Sequence, residues 1–359
     1  MINAGERALD AEPLQLGIVG SPAARQRYRN ALSQCRLAQL AGVVDPDLRA
    51  ARAWARQLGG SISTSLDLAG LFEARPAVSA ILIAVDLPDR IGLITEALAA
   101  GRSALCEFPF TLTAAEAEHA TDQARQSGLV LMPVFPRRLD PELQTVRNWI
   151  DAGLLGDIRQ VRCQWRFASA ESFSPEDGVS PGAPGWDRLT QAAAYHSIDV
   201  CRWWLGEVAA VSADTEAILG QDEESTGDGG PVNLILSHER GPSTHHFSKS
   251  RSARADERYS ISGSLGHAAL CSRPAAAGSA PLEIEATLYN GKSPPDPSEE
   301  TDRIHGRLAA LLDHFAACVM GDAHPFLDAE DGCAVQEIVR AAHISSRTTS
   351  KVSVPLQRR

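Results

Sequence analysis

The first residues able to carry chemistry are Gly20-Ser21-Pro22-Ala23-Ala24-Arg25, which close an apolar run starting at Leu14. A dinucleotide loop between a first strand and its helix reads G-x-G-x-x-G. The first glycine makes the tight turn, the second lets backbone approach the pyrophosphate, and the third lets helix pack on strand. Only the first is present here. Pro22 stands in the second slot; it adds a ring and has no N–H to donate, yet it suits the first position of a helix. Arg25 stands in the third slot, bulky where packing is close. Swung outward, it would be a phosphate-binding cation. The competing reading is a strand–helix turn that binds no nucleotide. Asp45, at the end of the next apolar run, is placed to accept hydrogen bonds from an adenosine ribose. If a nucleotide binds, Asp45 favours NAD over NADP, because a carboxylate repels a 2′-phosphate. Its competing reading is a turn or N-cap residue in Asp45-Pro46-Asp47.

Other chemistries find less support. None of the 10 histidines has a zinc-like spacing to Cys, Asp or Glu. His245 and His246, adjacent on a strand, point to opposite faces and cannot chelate together. No metal site is expected. The 7 cysteines (Cys35, Cys106, Cys163, Cys201, Cys271, Cys318 and Cys333) contain no C-x-x-C pair and read as reduced intracellular thiols, mostly core filler. No G-x-S-x-G elbow supports an esterase. Arg25, Arg27 and Arg29, Arg137-Arg138, and Arg251 with Arg254 read first as solvated faces, with an anionic ligand as the minority reading. Trp203-Trp204 reads as core.

The elements that would position these residues follow a two-part pattern. The chain has 359 residues, which suggests about two domains. Hydrophobic residues make up 44% and charged residues 22%, which excludes a fully disordered chain. A net charge of -11 argues against general nucleic-acid binding. The N-terminus lacks an apolar stretch of signal length, and the longest aliphatic run, Val78 to Val85, is too short to span a bilayer. The expectation is a cytoplasmic protein with no membrane partner.

Strands are predicted at Leu14 to Gly20, Leu37 to Val44, Val78 to Val85, Ser103 to Glu107 and Leu129 to Phe135. Helices are predicted between them at Pro22 to Cys35, Leu48 to Leu58, Asp89 to Ala100 and Thr113 to Ser127. This βαβ alternation implies an α/β fold whose N-terminal domain, 14–135, is a Rossmann-like doubly wound parallel sheet. A flexible tail, 1–13, precedes it. The remainder, 136–359, reads as an α+β domain. It has helices at Pro141 to Ala152, Thr190 to Leu205, Arg307 to Met320 and Ala329 to Ser346. Its strands are predicted at Ile158 to Phe167, Ala209 to Leu219, Val232 to His238, His245 to Ser250, Tyr259 to Ser262 and Leu282 to Leu288. Such a run of strands makes a mostly antiparallel, open-faced sheet. Loops are predicted at Gln221 to Pro231, Ser272 to Pro281 and Gly291 to Glu300.

An ordered set of segments resembles the glucose–fructose oxidoreductase / inositol dehydrogenase family (Gfo/Idh/MocA). It comprises Leu40 to Asp47, Ala97 to Gly101, Cys106 to Ala117, Arg138 to Pro141, Gly153 to Ile158, His196-Ser197-Ile198-Asp199 with Trp203 to Gly206, Gly263 with Gly266, and Asp331-Gly332. The resemblance runs over nearly the whole chain. It implies an NAD(P)-dependent oxidoreductase moving a hydride to or from a small carbonyl, hydroxyl or imine substrate. It further implies cofactor contacts at Gly20, Ser21, Pro22, Arg25, Asp45, Glu107 and Pro109, and a substrate pocket including Phe108, Arg138, Ala192 and Tyr195. A homo-oligomer, dimer or tetramer, through the C-terminal sheet is implied too.

The site departs from the family pattern. Family members usually carry Glu-Lys-Pro, with a lysine that relays a proton; here the tripeptide is Glu107-Phe108-Pro109, and phenylalanine cannot titrate. The family's Asp-x-Gly-x-His-x-x-Asp reads Ala192 to Asp199, with Ala192 for the first aspartate and Ala194 for the glycine. His196 and Asp199 remain as the catalytic candidates. An imidazole titrates near neutral pH, and a placed acid or base is worth roughly 10²–10⁴-fold. The competing reading of His196 is a helix histidine held by Asp199 at i+3. The whole-chain alternative is a catalytically silent family member, a ligand sensor or partner subunit.

Overall fold

The computed structural model describes residues 12–111, 113–168, 188–215, 231–250, 256–272, 282–290 and 306–356. Outside them lie the expected tail up to residue 11, nearly all of the expected loops, the last residues of the strand expected to reach Leu219, and Arg251 and Arg254.

The N-terminal unit alternates strictly. Its elements are β1 (Leu14–Gly20), α1 (Pro22–Gln34), β2 (Ala38–Val44), α2 (Leu48–Leu58), β3 (Ser63–Ser65), α3 (Leu68–Ala74), β4 (Ala80–Ala84), α4 (Leu87–Ala99), β5 (Ser103–Cys106), α5 (Ala114–Gln126) and β6 (Leu131–Pro133). All strand pairs are parallel, in the order β3-β2-β1-β4-β5-β6. The order reverses beside β1, which is where such sheets open a ligand crevice at the strands' carboxyl ends. Every residue of β4 is buried, as a strand covered on both faces requires. Burying each of Ile81, Leu82 and Ile83 contributes about 1.5–3 kcal/mol.

Local signals set the helix starts. Asp47 and Asp67 cap α2 and α3 through their side chains, and Thr113 with Glu116 forms a reciprocal capping box on α5. The three-residue β3 and the seven-residue α3 were not expected. The segment Ser63-Thr64-Ser65 is short and polar, and only its pairing with β2 makes it a strand.

The second unit holds α6 (Pro141–Asp151), β7 (Ile158–Ala168), α7 (Arg188–Leu205), β8 (Val208–Thr215), β9 (Val232–His238), β10 (Gly241–Ser250), β11 (Asp256–Gly263), β12 (Gly266–Ser272), β13 (Leu282–Leu288) and β14 (Val352–Ser353). The sheet order is β13-β12-β11-β7-β10-β9-β8-β14. Its pairs are antiparallel except β7 with β10, which is parallel. Strand β9 alternates buried Val232, Leu234, Leu236 and His238 with less buried neighbours, so one face is dry. Helix α7 packs on β7 and β10. Strand β10 starts at Gly241, four residues before the expected His245, because a tight turn at Glu239-Arg240 pairs it with β9 from its first residue. Strand β12 was not expected; its mix of small and polar residues carries little signal, and it is held by β11 and β13 on either side.

Helix α8 (Arg307–Met320) and the first residues of α9 (Ala329–Thr348) fold with the N-terminal unit, while the rest of α9 folds with the second. Asp313 accepts hydrogen bonds from the backbone of Arg36 and Leu37 at 2.9 and 2.8 Å, which fixes α8 beside the end of α1. Among the described residues no helix is long and apolar enough to cross a membrane.

Candidate functional site

The turn from β1 into α1 needs its glycine. A Cβ on Gly20 would lie 2.9 Å from the backbone oxygen of Ala84, a neighbour on β4 that cannot move cheaply. Ser21 is the N-cap, its hydroxyl accepting from the Ala24 amide at 3.2 Å, and Pro22 follows in the first turn. The α1 N-terminus therefore faces the crevice as a potential anion site.

Arg25 does not swing outward. Its side chain is buried and forms an ion pair with Asp45. The guanidinium also lies 5.8 Å from the centre of the Trp54 ring. The other Asp45 oxygen accepts from the Asp47 amide at 2.7 Å. The N-cap role considered for Asp45 belongs to Asp47, which accepts from Arg49 and Ala50. Arg25, in the third glycine slot, and Asp45, the expected ribose acceptor, are thus joined as one neutral pair.

The Glu107-Phe108-Pro109 segment, which contains a cis Phe108-Pro109 bond, is held by two cations: Arg27, expected on a solvated face, and Arg90, which no motif marks. Buried Glu107 pairs with Arg27 and with Arg90, the latter at 3.3 Å. Tyr28 donates to the same carboxylate at 3.2 Å. Burial pushes the Tyr28 hydroxyl up to about 12, so it remains a donor. Arg90 is closed to solvent and donates to the carbonyls of Val85 and Pro109, each at 2.7 Å. Burial lowers its pKa, without removing its role as a donor. Nothing in the α4 sequence pattern marks Arg90 as buried; its partners come from two strand ends. The Phe108 ring packs tilted against Phe135, with centres 4.6 Å apart, and meets Phe110 edge-on at 5.8 Å. A Cβ on Gly332 would meet Phe110 at 3.0 Å and Phe108 at 3.3 Å, so that glycine lets α9 approach the aromatic cluster.

In the second unit α7 presents Ala192 and His196, both half-buried. Tyr195 is buried, its hydroxyl accepting from Gln191 at 2.8 Å. Asp199 accepts from Arg138 Nε at 3.1 Å and Nη2 at 2.6 Å, a buried forked ion pair. Arg138, read as lining a pocket, is thus engaged and 3% exposed. The pair ties the turn Pro136–Leu139 to α7.

The second unit also gathers a donor set that sequence spacing hid. The thiols of Cys163 and Cys201 and a ring nitrogen of His245 lie within 4.8 Å of one another, all buried. The expectation of no metal site rests on spacing along the chain, whereas these three residues come from β7, α7 and β10 and meet only in the fold.

A parallel 3-2-1-4-5-6 sheet with a glycine turn at its switch point, followed by a largely antiparallel sheet unit, defines a two-unit α/β chain of the dinucleotide-binding fold class. Residues 14–135 match the family model described as oxidoreductase family, NAD-binding Rossmann fold, and residues 143–269 match the GFO/IDH/MocA C-terminal domain. The chain is 30% identical over 241 residues to the rhizopine catabolism protein MocA of Rhizobium meliloti, covering 61% of this chain and 70% of that protein. It is 26% identical over 345 residues to an inositol 2-dehydrogenase of Rhizobium meliloti (strain 1021), covering 95% and 99%. In fold it is similar to the WlbA dehydrogenase from Bordetella pertussis, solved with NADH and UDP-GlcNAcA, with a TM-score of 0.77, 20% identity and coverage of 96% and 99%. The chain belongs to the Gfo/Idh/MocA oxidoreductase family and carries its NAD-binding Rossmann domain.

Proposed function

We propose that the chain is a nicotinamide-dependent oxidoreductase moving a hydride to or from a small substrate that bears a carbonyl, hydroxyl or imine group. The observation that carries this reading is the Gly20–Ser21 turn at the α1 N-terminus beside Asp45 at the end of β2. These residues suit a dinucleotide. Gly20, Ser21 and the first turn of α1 at Pro22 hold the pyrophosphate. Asp45 accepts from the adenosine ribose, since a carboxylate has about four lone-pair sites and two are in use here. Glu107 and Pro109, fixed by Arg90, shape the nicotinamide end. When bound, the nicotinamide supplies or accepts the hydride.

His196 moves the accompanying proton at its imidazole. Asp199 is a positioning residue, acting through the Arg138 pair to set α7. Phe108 in the first unit and Ala192 in the second each stand where the family carries a proton-handling group, which suits a substrate less hydroxylated than a sugar, or an activated C=O or C=N bond, where solvent can supply a proton.

Isothermal titration of the full chain with NAD+, NADH, NADP+ and NADPH tests the reading. Saturable binding of at least one form is expected, and no heat with any of the four would sink it. One observation favours a second reading, a catalytically silent family member: Phe108, Ala192 and Arg25 jointly replace two proton-handling groups and a glycine. Binding that supports no turnover would select that reading. The outer face of the second sheet exposes Ile235 at 52%, which supports a homo-oligomer through that sheet. Light scattering at micromolar concentration is expected to give at least a dimer mass, and a monomer mass contradicts it.

A further inference from the structure

We propose that Cys163, Cys201 and His245 form a structural zinc site inside the second unit, independent of the hydride chemistry. The placement follows from the sheet. Strands β7 and β10 are parallel neighbours, and Cys163 and His245 are register partners, so both side chains leave the same face. Helix α7 covers that face and brings Cys201 over them. The three residues are 2%, 0% and 1% exposed. The two sulfurs are 3.3 Å apart.

The donor set selects the ion. Two thiols and an imidazole, with no carboxylate among them, suit a soft or borderline cation and exclude magnesium and calcium. Zinc(II) with two thiolates is electrically neutral, so its burial carries no net charge into a dry region. A copper(I) ion would leave one negative charge there. Loading is balanced: two S–H bonds give up their protons to solvent, two Zn–S bonds form, and no electron moves. With Zn–S bonds of about 2.3 Å, tetrahedral geometry sets the sulfurs about 3.8 Å apart, so the pair opens by about half an ångström.

The surroundings are those of a supported ligand. The two His245 ring nitrogens each meet a serine hydroxyl at 2.9 Å, Ser197 at Nδ1 and Ser243 at Nε2. Whichever nitrogen binds zinc, the other keeps a hydroxyl that fixes the ring, as metal-bound histidines require. The displaced serine is left as a neutral fourth donor. Ser243 is itself held by His238 Nε2 at 2.8 Å. Ser197 and Cys201 stand at i and i+4, on one face of α7. Because the site is closed, the ion enters as the chain folds.

The test is elemental analysis of the full chain, expressed in zinc-supplemented medium and purified without chelators, with thiols counted under denaturing conditions. About one zinc per chain is expected, falling at least tenfold in Cys201→Ala and in Cys163→Ala and staying near one in Cys333→Ala. Should either variant fail to fold, wild-type chain refolded with cobalt(II) gives a second readout, the intense thiolate-to-cobalt charge-transfer band of a tetrahedral site. Folded wild-type chain with less than a tenth of an equivalent of zinc, and no such band after refolding with cobalt, overturns the proposal. It does so whether all 7 thiols titrate or two are lost to a disulfide.

Discussion

Replacing Arg138 with alanine is expected to remove about 3–5 kcal/mol of stability from the second unit, because it strands Asp199 as a buried, uncompensated carboxylate. The side chains of the pair are only 4% and 1% exposed, so water offers neither much relief. The fork geometry adds to the loss, since Nε and Nη2 both reach Asp199. Lysine would not restore it, because an ammonium cannot make both contacts from one plane. The double variant Arg138→Met with Asp199→Leu is expected to recover most of the stability, as buried ion pairs exchanged for packed apolar groups often do. Urea unfolding of the full chain, followed by tryptophan fluorescence, reads both. A single variant as stable as wild type would mean the pair is screened, and Asp199 would return as a candidate for direct chemistry. A double variant as unstable as the single one would mean the site cannot repack.

The parts of this molecule that were legible in the sequence are those governed by neighbours along the chain. Strand β1, helix α2 and strand β9 start and stop at apolar runs, glycines and capping aspartates, and their bounds follow from those signals alone. Strand β12 has no such signal, and two partner strands make it. The candidate site divides the same way. Gly20 and Asp45 are visible because a turn and a strand end are local events. What Arg25 does is not visible, since its direction depends on Asp45 and Trp54 from the next strand and helix. Arg90 sits on a helix where an arginine usually means solvent, and it is buried only because the ends of β4 and β5 offer it carbonyls. Cys163, Cys201 and His245 meet through sheet register and helix docking, which no spacing rule along one chain encodes.

Arg25→Ala is expected to turn cofactor preference toward NAD(H) by about tenfold or more, a change of about 1.4 kcal/mol. In the wild type the Arg25 cation neutralises Asp45, so a 2′-phosphate arriving at the ribose acceptor meets a pair with no net charge. The electrostatic reason to prefer NAD, drawn from Asp45 alone, is thereby weakened, and the wild type is expected to discriminate little between the two cofactors. Removing the cation leaves a bare carboxylate. At about 5 Å and an effective dielectric near 20, its repulsion of one phosphate charge is about 3 kcal/mol before further screening by salt. Alanine is the better probe than glycine, because glycine inside α1 would itself cost about 1 kcal/mol of helix stability. Some stability is lost either way, on the order of 1–3 kcal/mol, since Asp45 loses a charged partner while keeping 12% of its side chain in solvent and its bond from the Asp47 amide. Titrating NAD+ and NADP+ into both proteins gives the ratio of dissociation constants directly. A ratio unchanged in a folded variant would place the 2′ position away from this pair. Loss of both cofactors together would mean that Arg25 leaves Asp45 on binding and holds the phosphates itself. Only a ratio that moves toward NAD, with NAD+ affinity kept or raised, makes the buried ion pair the element that sets the charge of the adenosine site.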